Sequence, residues 1–298
     1  MVMGILRLHC YKKPPMLDIF ALRNQIIDDY HRYIESFLNI RDRKVKAFVD
    51  GELAKGELWQ DPLIQLNPAY QKGASISELI DRDILHPDCS KYFQNFQFYQ
   101  HQAQAFVAAQ SQKPYVLTTG TGSGKSLSYV VPIIDDILRN PEIKGVRAIL
   151  VYPMNALINS QKEEFDKFIK KVTNSPIRVE QYTGQEKTER KIEIQNNPPH
   201  IILTNYVMLE LMLTRVHEAK FVESSDLKFL VLDELHTYRG RQGADVAMLV
   251  RKLRQRSGRD LLCIGTSATM STEGDRQHRR QTVAGVASKL FGVAKPRD

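Results

Sequence analysis

Six short apolar runs recur between Tyr115 and Ser267, and longer segments with helical periodicity separate most of them. The runs are YVLTT (115–119), VRAILVY (146–152), IRVEQY (177–182), HIILTN (200–205), KFLVLDE (228–234) and LLCIGTS (261–267). Apolar strands that alternate with helices are typical of a parallel sheet covered by helices on both faces. The sequence therefore predicts an α/β fold that binds its ligands at the carboxyl ends of the strands.

The first ninety-odd residues lack this alternation. Apolar residues at three- and four-residue steps predict a helix over residues 16–50. Residues 57–75 contain two prolines and a glycine and predict irregular chain, and residues 77–85 predict a short helix. We therefore expect a mostly helical extension over residues 1–94, followed by a ligand-binding domain over residues 95–298.

The segment TGTGSGKS follows the first apolar run and precedes a helical pattern. Its glycines allow the backbone to approach phosphate oxygens, and the N–H groups at the start of the next helix attract anions. Thr119 stands where the general phosphate-loop pattern G-x-x-x-x-G-K-[ST] has glycine, so a polar turn that only mimics such a loop is the alternative. The expected nucleotide-binding residues are Thr119, Gly120, Thr121, Gly122, Ser123, Gly124, Lys125 and Ser126.

Two adjacent carboxylates, Asp233 and Glu234, follow the fifth apolar run. Phosphoryl transfer requires one carboxylate for Mg²⁺ and a polar group that orients the attacking water. Asp233 suits the metal role and Glu234 suits the role of the base. Paired acids also occur by accident on surfaces, but the Gly-Lys-Ser sequence upstream favours a nucleotide site.

These elements belong to a longer series of motifs between about residues 98 and 269. In chain order the motifs are YQHQAQA (99–105), TGTGSGKS (119–126), YPMNALINSQ (152–161), YTGQ (182–185), LTNYVML (203–209), DELH (233–236) and SAT (267–269). The series resembles the first RecA-like motor lobe, a P-loop NTPase fold, of superfamily-two helicases of the DEAD/DEAH-box class. Some branches of that class begin the phosphate loop with Thr-Gly-Thr, so Thr119 departs from the general pattern but not from the family.

The resemblance implies ATP and Mg²⁺ as cofactors and a single nucleic-acid strand as partner. Gln102 would contact the adenine base, Lys125, Asp233 and Glu234 would carry catalysis, and Ser126 and Asp233 would hold Mg²⁺. His236, Ser267 and Thr269 would couple the nucleotide site to the groove that binds the nucleic-acid strand. The implied strand contacts are Pro153, Asn155, Thr183, Gly184, Thr204 and Asn205.

The positive charge of the chain is concentrated after Arg239. Residues 239–298 contain thirteen Lys and Arg against five Asp and Glu, whereas the remaining residues balance at 29 each. A basic helix over residues 236–256 suits either a polyanion or a solvated surface. The Tyr-Arg-Gly after DELH resembles large DNA-repair and defence-type helicases that often carry a zinc-binding C-terminal region, which favours DNA over RNA.

The family motor closes ATP between two lobes, and the second lobe supplies an arginine finger worth about 10³–10⁵ in rate. The chain ends about thirty residues after SAT, so we expect the second lobe to lie on a longer parent chain or a separate subunit. The alternative function is a regulatory module, or a truncated remnant, that binds ATP or nucleic acid without helicase activity. A third alternative, an unrelated P-loop kinase or GTPase, is disfavoured because Gln102 and SAT would have no role in such a protein.

Two further features bear on the compartment. No run reaches the roughly 18–20 apolar residues of a membrane helix, and the N-terminus lacks a secretory layout, so we expect a cytoplasmic protein. Cys10, Cys89 and Cys263 are far apart and form no C-x-x-C pair, which favours reduced, mostly buried thiols.

Overall fold

The computed structural model divides the chain into two compact units, Met1–Asn67 and Pro68–Asp298. It describes residues 18–55, 69–120, 122–223, 226–258, 261–268 and 276–293. Thr121, Thr269 and Cys10 lie outside the described residues. Among the residues that are described, no helix is both long and apolar enough to cross a membrane.

The described part of the first unit, residues 18–55, forms two helices, α1 (Ile19–Ser36) and α2 (Arg43–Ala54). The prediction of one continuous helix over residues 16–50 is therefore wrong. Each helix begins after an aspartate whose carboxylate accepts hydrogen bonds from two backbone N–H groups of the first turn, Asp18 for α1 and Asp42 for α2. The first turn of a helix leaves its N–H groups without intrahelical acceptors, and the Asp42 carboxylate pairs two of them, which allows a new helix to start here.

The second unit is built around a six-stranded parallel sheet, as predicted. Two strands come earlier in the chain, β1 (Lys72–Ser75) and β2 (Gln97–Tyr99), and form a separate antiparallel ribbon. The strands of the main sheet are β3 (Tyr115–Thr118), β4 (Ala148–Tyr152), β5 (Val179–Gln181), β6 (Ile201–Asn205), β7 (Phe229–Leu232) and β8 (Leu262–Ser267). Their order across the sheet is β3-β8-β7-β4-β6-β5, and all five neighbouring pairs are parallel.

Helices cover both faces of the sheet, which confirms the predicted RecA-like architecture. They are α3 (Ile76–Asp81), α4 (Cys89–Tyr92), α5 (Gln100–Gln110), α6 (Leu127–Arg139), α7 (Asn155–Ile169), α8 (Thr188–Asn196), α9 (Tyr206–Thr214), α10 (Val216–Ala219), α11 (Gly240–Ser257) and α12 (Arg276–Phe291), with a 3-10 turn at Leu235–Thr237. One apolar cluster is formed by side chains of the helices α3, α4, α5, α6 and α7 and of one face of the sheet. The other joins α8, α9, α11 and α12 with the opposite face.

Residues 69–94 pack within the unit that contains the sheet. The expected extension ends at residue 94, whereas the two compact units divide after Asn67. Strand β1 pairs with β2, and apolar side chains of α3 and α4 enter the cluster beneath the sheet. Strand β1 lies within residues 57–75, which were predicted to be irregular. The sequence of β1, KGAS, gives no strand signal because it has almost no apolar residues.

The carboxyl ends of the strands fall into two groups along one edge of the sheet. The ends of β3, β8 and β7 are neighbours and carry the phosphate loop, SAT and DELH. The ends of β4, β6 and β5 are neighbours and carry the three expected strand-contacting segments. The topology therefore places the nucleotide residues and the strand residues side by side on the ligand-binding edge.

Candidate functional site

The phosphate loop adopts backbone conformations that require its glycines. Gly122 has a φ of +77° and Gly124 a φ of +68°, and only glycine enters this region without steric cost. A Cβ on Gly124 would lie 2.7 Å from Gln102 Nε2, and one on Gly120 would lie 3.1 Å from the Tyr70 hydroxyl. The departure at Thr119 therefore leaves the inner part of the loop intact.

The N–H groups of the described residues at the end of this loop are free to bind a ligand. From Gly122 to Ser126, no backbone N–H donates a hydrogen bond to another residue that the structure describes. The loop runs into α6, whose N-cap is Ser126 and has no side-chain cap. A row of free donors at the start of a 13-residue helix fits the oxygens of a polyphosphate.

Side chains hold the loop in place. The hydroxyls of Thr119 and Ser123 lie 2.5 Å apart, and Lys125 Nζ donates to the carbonyl oxygen of Thr119 at 3.1 Å. Thr119 thus replaces the usual glycine with a side chain that closes the loop onto itself. Lys125 spans the loop, with its ammonium group at the edge where phosphates would lie.

Asp233 follows β7 and is half-buried. Burial raises the pKa of its carboxyl group above the ordinary value, and the negative charge of Glu234 adds to this effect. A hydrogen bond from the Thr266 hydroxyl and the positive charge of Lys125 act in the opposite direction. A desolvated carboxylate beside a lysine is a good ligand for a divalent cation, which would restore the lost stabilisation of its charge.

Glu234 is held in a left-handed conformation, with a φ of +51°. Such a conformation is unfavourable for glutamate and is characteristic of functional sites. Its N–H donates to Thr266 Oγ1 at 3.3 Å. Its Oε2 is buried and has no hydrogen bond of good geometry with any described residue. The described group beside this oxygen is the imidazole of His236.

His236 connects the acidic pair to the end of β8. Its Nδ1 lies 3.2 Å from Ser267 Oγ and 3.2 Å from Glu234 Oε2. The structure thus brings together the two described residues of the expected coupling set. Thr269 lies outside the described residues.

Gln102 lies against the phosphate loop rather than free in a base pocket. Its carboxamide oxygen accepts from the Tyr99 N–H at 2.8 Å, and its Nε2 donates to the carbonyl oxygen of Gly124 at 2.8 Å. His101 also contacts the loop, with Nε2 3.1 Å from the carbonyl oxygen of Ser123, and stacks on Tyr99 with ring centroids 5.6 Å apart. Each end of the Gln102 carboxamide therefore has a partner within the protein, although its oxygen and its NH₂ group can each form a second hydrogen bond.

Two asparagines join the ends of β4 and β6. Asn205 Nδ2 donates to Asn155 Oδ1 at 2.9 Å, and Asn205 Oδ1 accepts from the Met208 N–H and thereby caps α9. Helix α7 begins next to this pair, directly after Pro153 and Met154, and its N-cap forms no side-chain hydrogen bond. The start of α7 therefore presents free N–H groups beside an amide pair, an arrangement that suits a phosphate backbone.

The remaining strand-contact residues differ in accessibility. Gly184 is exposed and has open space where a Cβ would lie. Thr204 is fully buried, and its hydroxyl donates to the Tyr182 carbonyl oxygen at 2.7 Å. Glu186 engages Thr183, accepting from its N–H at 2.5 Å and from its hydroxyl at 2.8 Å. Thr204 and Thr183 are thus both buried, and the donors of Thr183 are occupied by Glu186.

Several site residues escape the motif analysis. Thr266 bridges Asp233 and Glu234, and Glu186 occupies the donors of Thr183. Thr266 directly precedes SAT in a strand that neighbours β7, which is the one sequence signal that could have identified it. Glu186 lies three residues after Thr183, the spacing of a capping box.

The basic segment of α11 has mainly structural contacts. Arg251 donates to the Lys289 carbonyl oxygen, and Arg254 donates to two carbonyl oxygens at the C-terminal end of α12. Arg256 pairs with Glu223 at 2.8 Å. Three basic residues of the helix are therefore bound to the protein itself, which favours a structural role over contact with a polyanion.

The remaining compositional prediction concerns the thiols. Cys89 and Cys263 are buried and free, as predicted. Burial raises the pKa of both thiols, that of Cys263 to about 12. Neither is a reactive thiolate at neutral pH.

Comparison with known proteins decides the family. The sequence pattern of the family described as DEAD/DEAH box helicase matches residues 99–276. The chain belongs to this family. DEAD/DEAH box helicases use ATP, which agrees with the free N–H groups of the loop and with the acidic pair.

Several relatives of this DEAD/DEAH box chain are known. The uncharacterized ATP-dependent helicase MJ1574 of Methanocaldococcus jannaschii is 34% identical over 205 residues, which are 67% of this chain and 28% of that protein. The Druantia protein DruE of Escherichia coli is 28% identical and covers 87% of this chain, with 21% of its own length matched. The DUF1998 helicase MrfA bound to DNA is 26% identical, with a TM-score of 0.64, over 82% of this chain and 31% of MrfA. The chain thus spans a fifth to a third of the length of these proteins.

Proposed function

We propose that this chain is the ATP-binding motor lobe of an ATP-dependent nucleic-acid helicase or translocase, with DNA as its strand. The observation that carries this proposal is the phosphate loop with unused N–H groups next to the acidic pair. The free donors from Gly122 to Ser126 and the Lys125 ammonium group follow β3, and the half-buried Asp233 carboxylate follows β7. Only β8 lies between these two strands. A polar turn that only mimics a phosphate loop would not be expected to combine these three features.

The residues of the loop and of DELH fit Mg²⁺ and ATP. Ser126 and Asp233 supply a hydroxyl and a carboxylate, the oxygen ligands that Mg²⁺ prefers. When bound, Mg²⁺ neutralises charge on the phosphates. Lys125 would leave the Thr119 carbonyl oxygen for a phosphate oxygen, and Glu234 would take up a proton from the attacking water at Oε2.

The second group of strand ends suits a nucleic-acid backbone. Asn155, Asn205, Gly184 and the N-terminus of α7 present amides and N–H groups that contact phosphates without reading sequence. DNA is favoured because the relative MrfA was solved bound to DNA. His236 lies between Glu234 and Ser267 and would transmit the state of the nucleotide to neighbouring segments.

The active form would include a second RecA-like lobe, on a longer parent chain or a separate subunit. The relatives are three to five times longer than the matched segment, and phosphoryl transfer gains about 10³–10⁵ in rate from an arginine finger. On its own, residues 1–298 would bind ATP weakly and hydrolyse it slowly.

The test is ATP binding and hydrolysis by the purified chain, alone and with single-stranded DNA or RNA. Lys125→Ala is expected to weaken ATP binding by about tenfold or more, because it removes a charge-assisted hydrogen bond worth about 1.5–3 kcal/mol. Glu234→Gln is expected to retain binding and abolish hydrolysis. Lys113→Ala and Glu142→Gln, which change exposed residues away from the site, are the matched controls and are expected to behave as wild type.

Three results would contradict the proposal in different ways. Absence of ATP binding at millimolar Mg²⁺ and ATP would reject the nucleotide site. Equal losses in Lys125→Ala and Lys113→Ala would reject the assigned role of Lys125. Stimulation by RNA and not by DNA would reject the choice of strand while leaving the motor lobe in place.

A further inference from the structure

Two buried tyrosine hydroxyls and the amide of a half-buried glutamine meet between α6, β4 and α7. The hydroxyls of Tyr129 and Tyr152 lie 3.4 Å apart, and the Tyr129 hydroxyl donates to Gln161 Oε1 at 3.4 Å. The Ser126 side chain is a further hydrogen-bond partner of Tyr129 and ties it to the end of the phosphate loop. Both tyrosines are fully buried. Burial raises the pKa of both phenols, and the nearby Asp233 carboxylate raises it further. The hydroxyls therefore remain protonated donors next to the acidic pair.

The three residues of this cluster come from the elements that carry the two halves of the site. Tyr129 is on α6, three residues after Ser126. Tyr152 ends β4, immediately before Pro153. Gln161 is on α7, whose N-terminus lies beside the asparagine pair. The Tyr129 hydroxyl is thus a polar contact between the helix of the phosphate loop and the helix of the proposed strand groove.

Its geometry suits a switch better than a structural bond. An oxygen–oxygen distance of 3.4 Å is long for a hydroxyl donor, which prefers about 2.7–2.8 Å. Such contacts contribute little to stability, and burying the hydroxyls is costly. A phenylalanine at either position would avoid that cost. By contrast, Tyr115 donates to the Ser128 carbonyl oxygen of the same helix at 2.6 Å, a distance expected for a structural bond.

We propose that Tyr129 is a positioning residue that couples ATP binding at the loop to strand binding at α7, through its contacts with Tyr152 and Gln161. This inference rests on the proposed function. A shift of α6 when phosphates enter the loop changes the partners of the Tyr129 hydroxyl, and α7 follows through Gln161. Because coupling between two ligands is reciprocal, strand binding strengthens ATP binding by the same factor.

The test measures that factor. The dissociation constant of an oligothymidylate strand is determined by fluorescence anisotropy, with and without Mg²⁺ and the non-hydrolysable analogue AMP-PNP. The reciprocal measurement, AMP-PNP affinity with and without the strand, is made on the same protein. In the wild type, the two ratios are expected to agree and to lie in the usual range of about 5–150-fold.

Tyr129→Phe is expected to reduce both ratios towards one while each ligand alone binds with nearly wild-type affinity. Its thermal midpoint is expected to stay close to that of the wild type, because the lost contacts with Tyr152 and Gln161 are long. Tyr115→Phe is the matched control: it removes a buried tyrosine hydroxyl bonded to the same helix, and it is expected to lower stability and keep the coupling. Gln161→Met is expected to resemble Tyr129→Phe, and the double variant to add little.

The outcomes separate this inference from the proposed function. Unchanged coupling in Tyr129→Phe, an equal loss in Tyr115→Phe, or a wild type that binds both ligands without coupling would each overturn the role of Tyr129. A wild type that binds neither ligand would overturn the proposed function itself. A fall in the affinity of each ligand alone, with the ratios preserved, would assign Tyr129 to local structure and also reject the inference.

Discussion

At the scale of single residues, Glu186 competes with the proposed strand. Its carboxylate accepts from the N–H and the hydroxyl of Thr183, a buried residue whose donors can reach a phosphate only if Glu186 leaves. The carboxylate also places a negative charge where the phosphate is expected. Strand binding at this segment therefore requires Glu186 to move away.

Glu186→Gln is expected to tighten binding of single-stranded DNA by about fivefold. It removes a charge whose repulsion costs about 1 kcal/mol at 4 Å in water, and glutamine still accepts one of the two hydrogen bonds. Glu189→Gln, an exposed change of the same charge on α8, is the control. Anisotropy titrations at fixed salt compare the two variants. An unchanged or weaker affinity in Glu186→Gln would show that the carboxylate orders the loop instead of guarding it.

The motifs define most of the candidate site, but not the contacts that each side chain makes. Lys125, Asp233 and Glu234 could be identified from type and spacing, because phosphate chemistry requires those groups. The buried hydroxyl of Thr204 and the engaged carboxamide of Gln102 could not. Their partners are backbone carbonyl oxygens brought close by the fold, and sequence spacing carries no information on such contacts.

At the scale of elements, strand β8 approaches the DELH turn very closely. A Cβ on Gly265 would lie 2.3 Å from Leu235 Cδ1 and 3.2 Å from Phe291 Cζ. Leu235 and Phe291 are both buried. The absence of a side chain at Gly265 therefore sets the position of the turn that carries Glu234 and His236.

Gly265→Ala is expected to destabilise the protein by about 1–3 kcal/mol, the usual range for overpacking a core, and to displace Glu234. Urea denaturation measures the first effect and ATP hydrolysis the second. Gly285→Ala on α12 is the control, since nothing lies within 4 Å of the added Cβ and alanine favours a helix by up to about 1 kcal/mol. Equal stability of the two variants would show that the turn moves to accommodate the extra methyl group without a loss of stability.

The end of α12 is a second feature of this scale. Arg254 donates to the carbonyl oxygens of Phe291 and Gly292 at 3.0 and 2.8 Å, which the helix itself leaves unpaired. Arg254→Met is expected to lower the free energy of unfolding by about 1.5–3 kcal/mol, the usual contribution of a charged donor, without weakening DNA binding. Lys252→Met, a change of an exposed neighbour, is expected to have no effect on stability. A large loss of DNA affinity in Arg254→Met would restore α11 as a polyanion-binding helix.

The elements themselves were predictable to different degrees. All six strands of the main sheet lie within the predicted runs. The four central strands, β8, β7, β4 and β6, are mainly apolar because both of their faces are buried, whereas the edge strands β3 and β5 are partly exposed. The ribbon of β1 and β2 was missed, since it is short and has no such pattern. The helix over residues 16–50 was predicted as one because its apolar spacing continues through Phe37 and Leu38, and only the aspartate before α2 marks the break.

At the scale of the whole molecule, residues 69–94 are part of the core of the sheet-containing unit. Buried side chains from this segment join the apolar cluster under the sheet; they are Ile76, Leu79, Leu85, Cys89, Tyr92 and Phe93. Polar contacts add to this attachment. The Tyr92 hydroxyl lies 2.9 Å from Ser175 Oγ, and the His86 N–H donates to Asp135 Oδ1 at 2.5 Å.

The boundary of the functional lobe follows from this packing. A chain of residues 68–298 is expected to unfold cooperatively and to bind ATP like the full chain, whereas a chain of residues 95–298 is expected to aggregate or lose ATP binding. Each large apolar side chain contributes about 1.5–3 kcal/mol when buried, so losing the six named above approaches the whole stability of about 5–15 kcal/mol that is usual for a domain. Thermal unfolding and fluorescent ATP titration compare the two shortened chains with the full chain. If residues 95–298 fold and bind ATP as well as residues 68–298, the boundary expected at residue 94 is the correct one. The preceding segment is then not required for folding or for ATP binding.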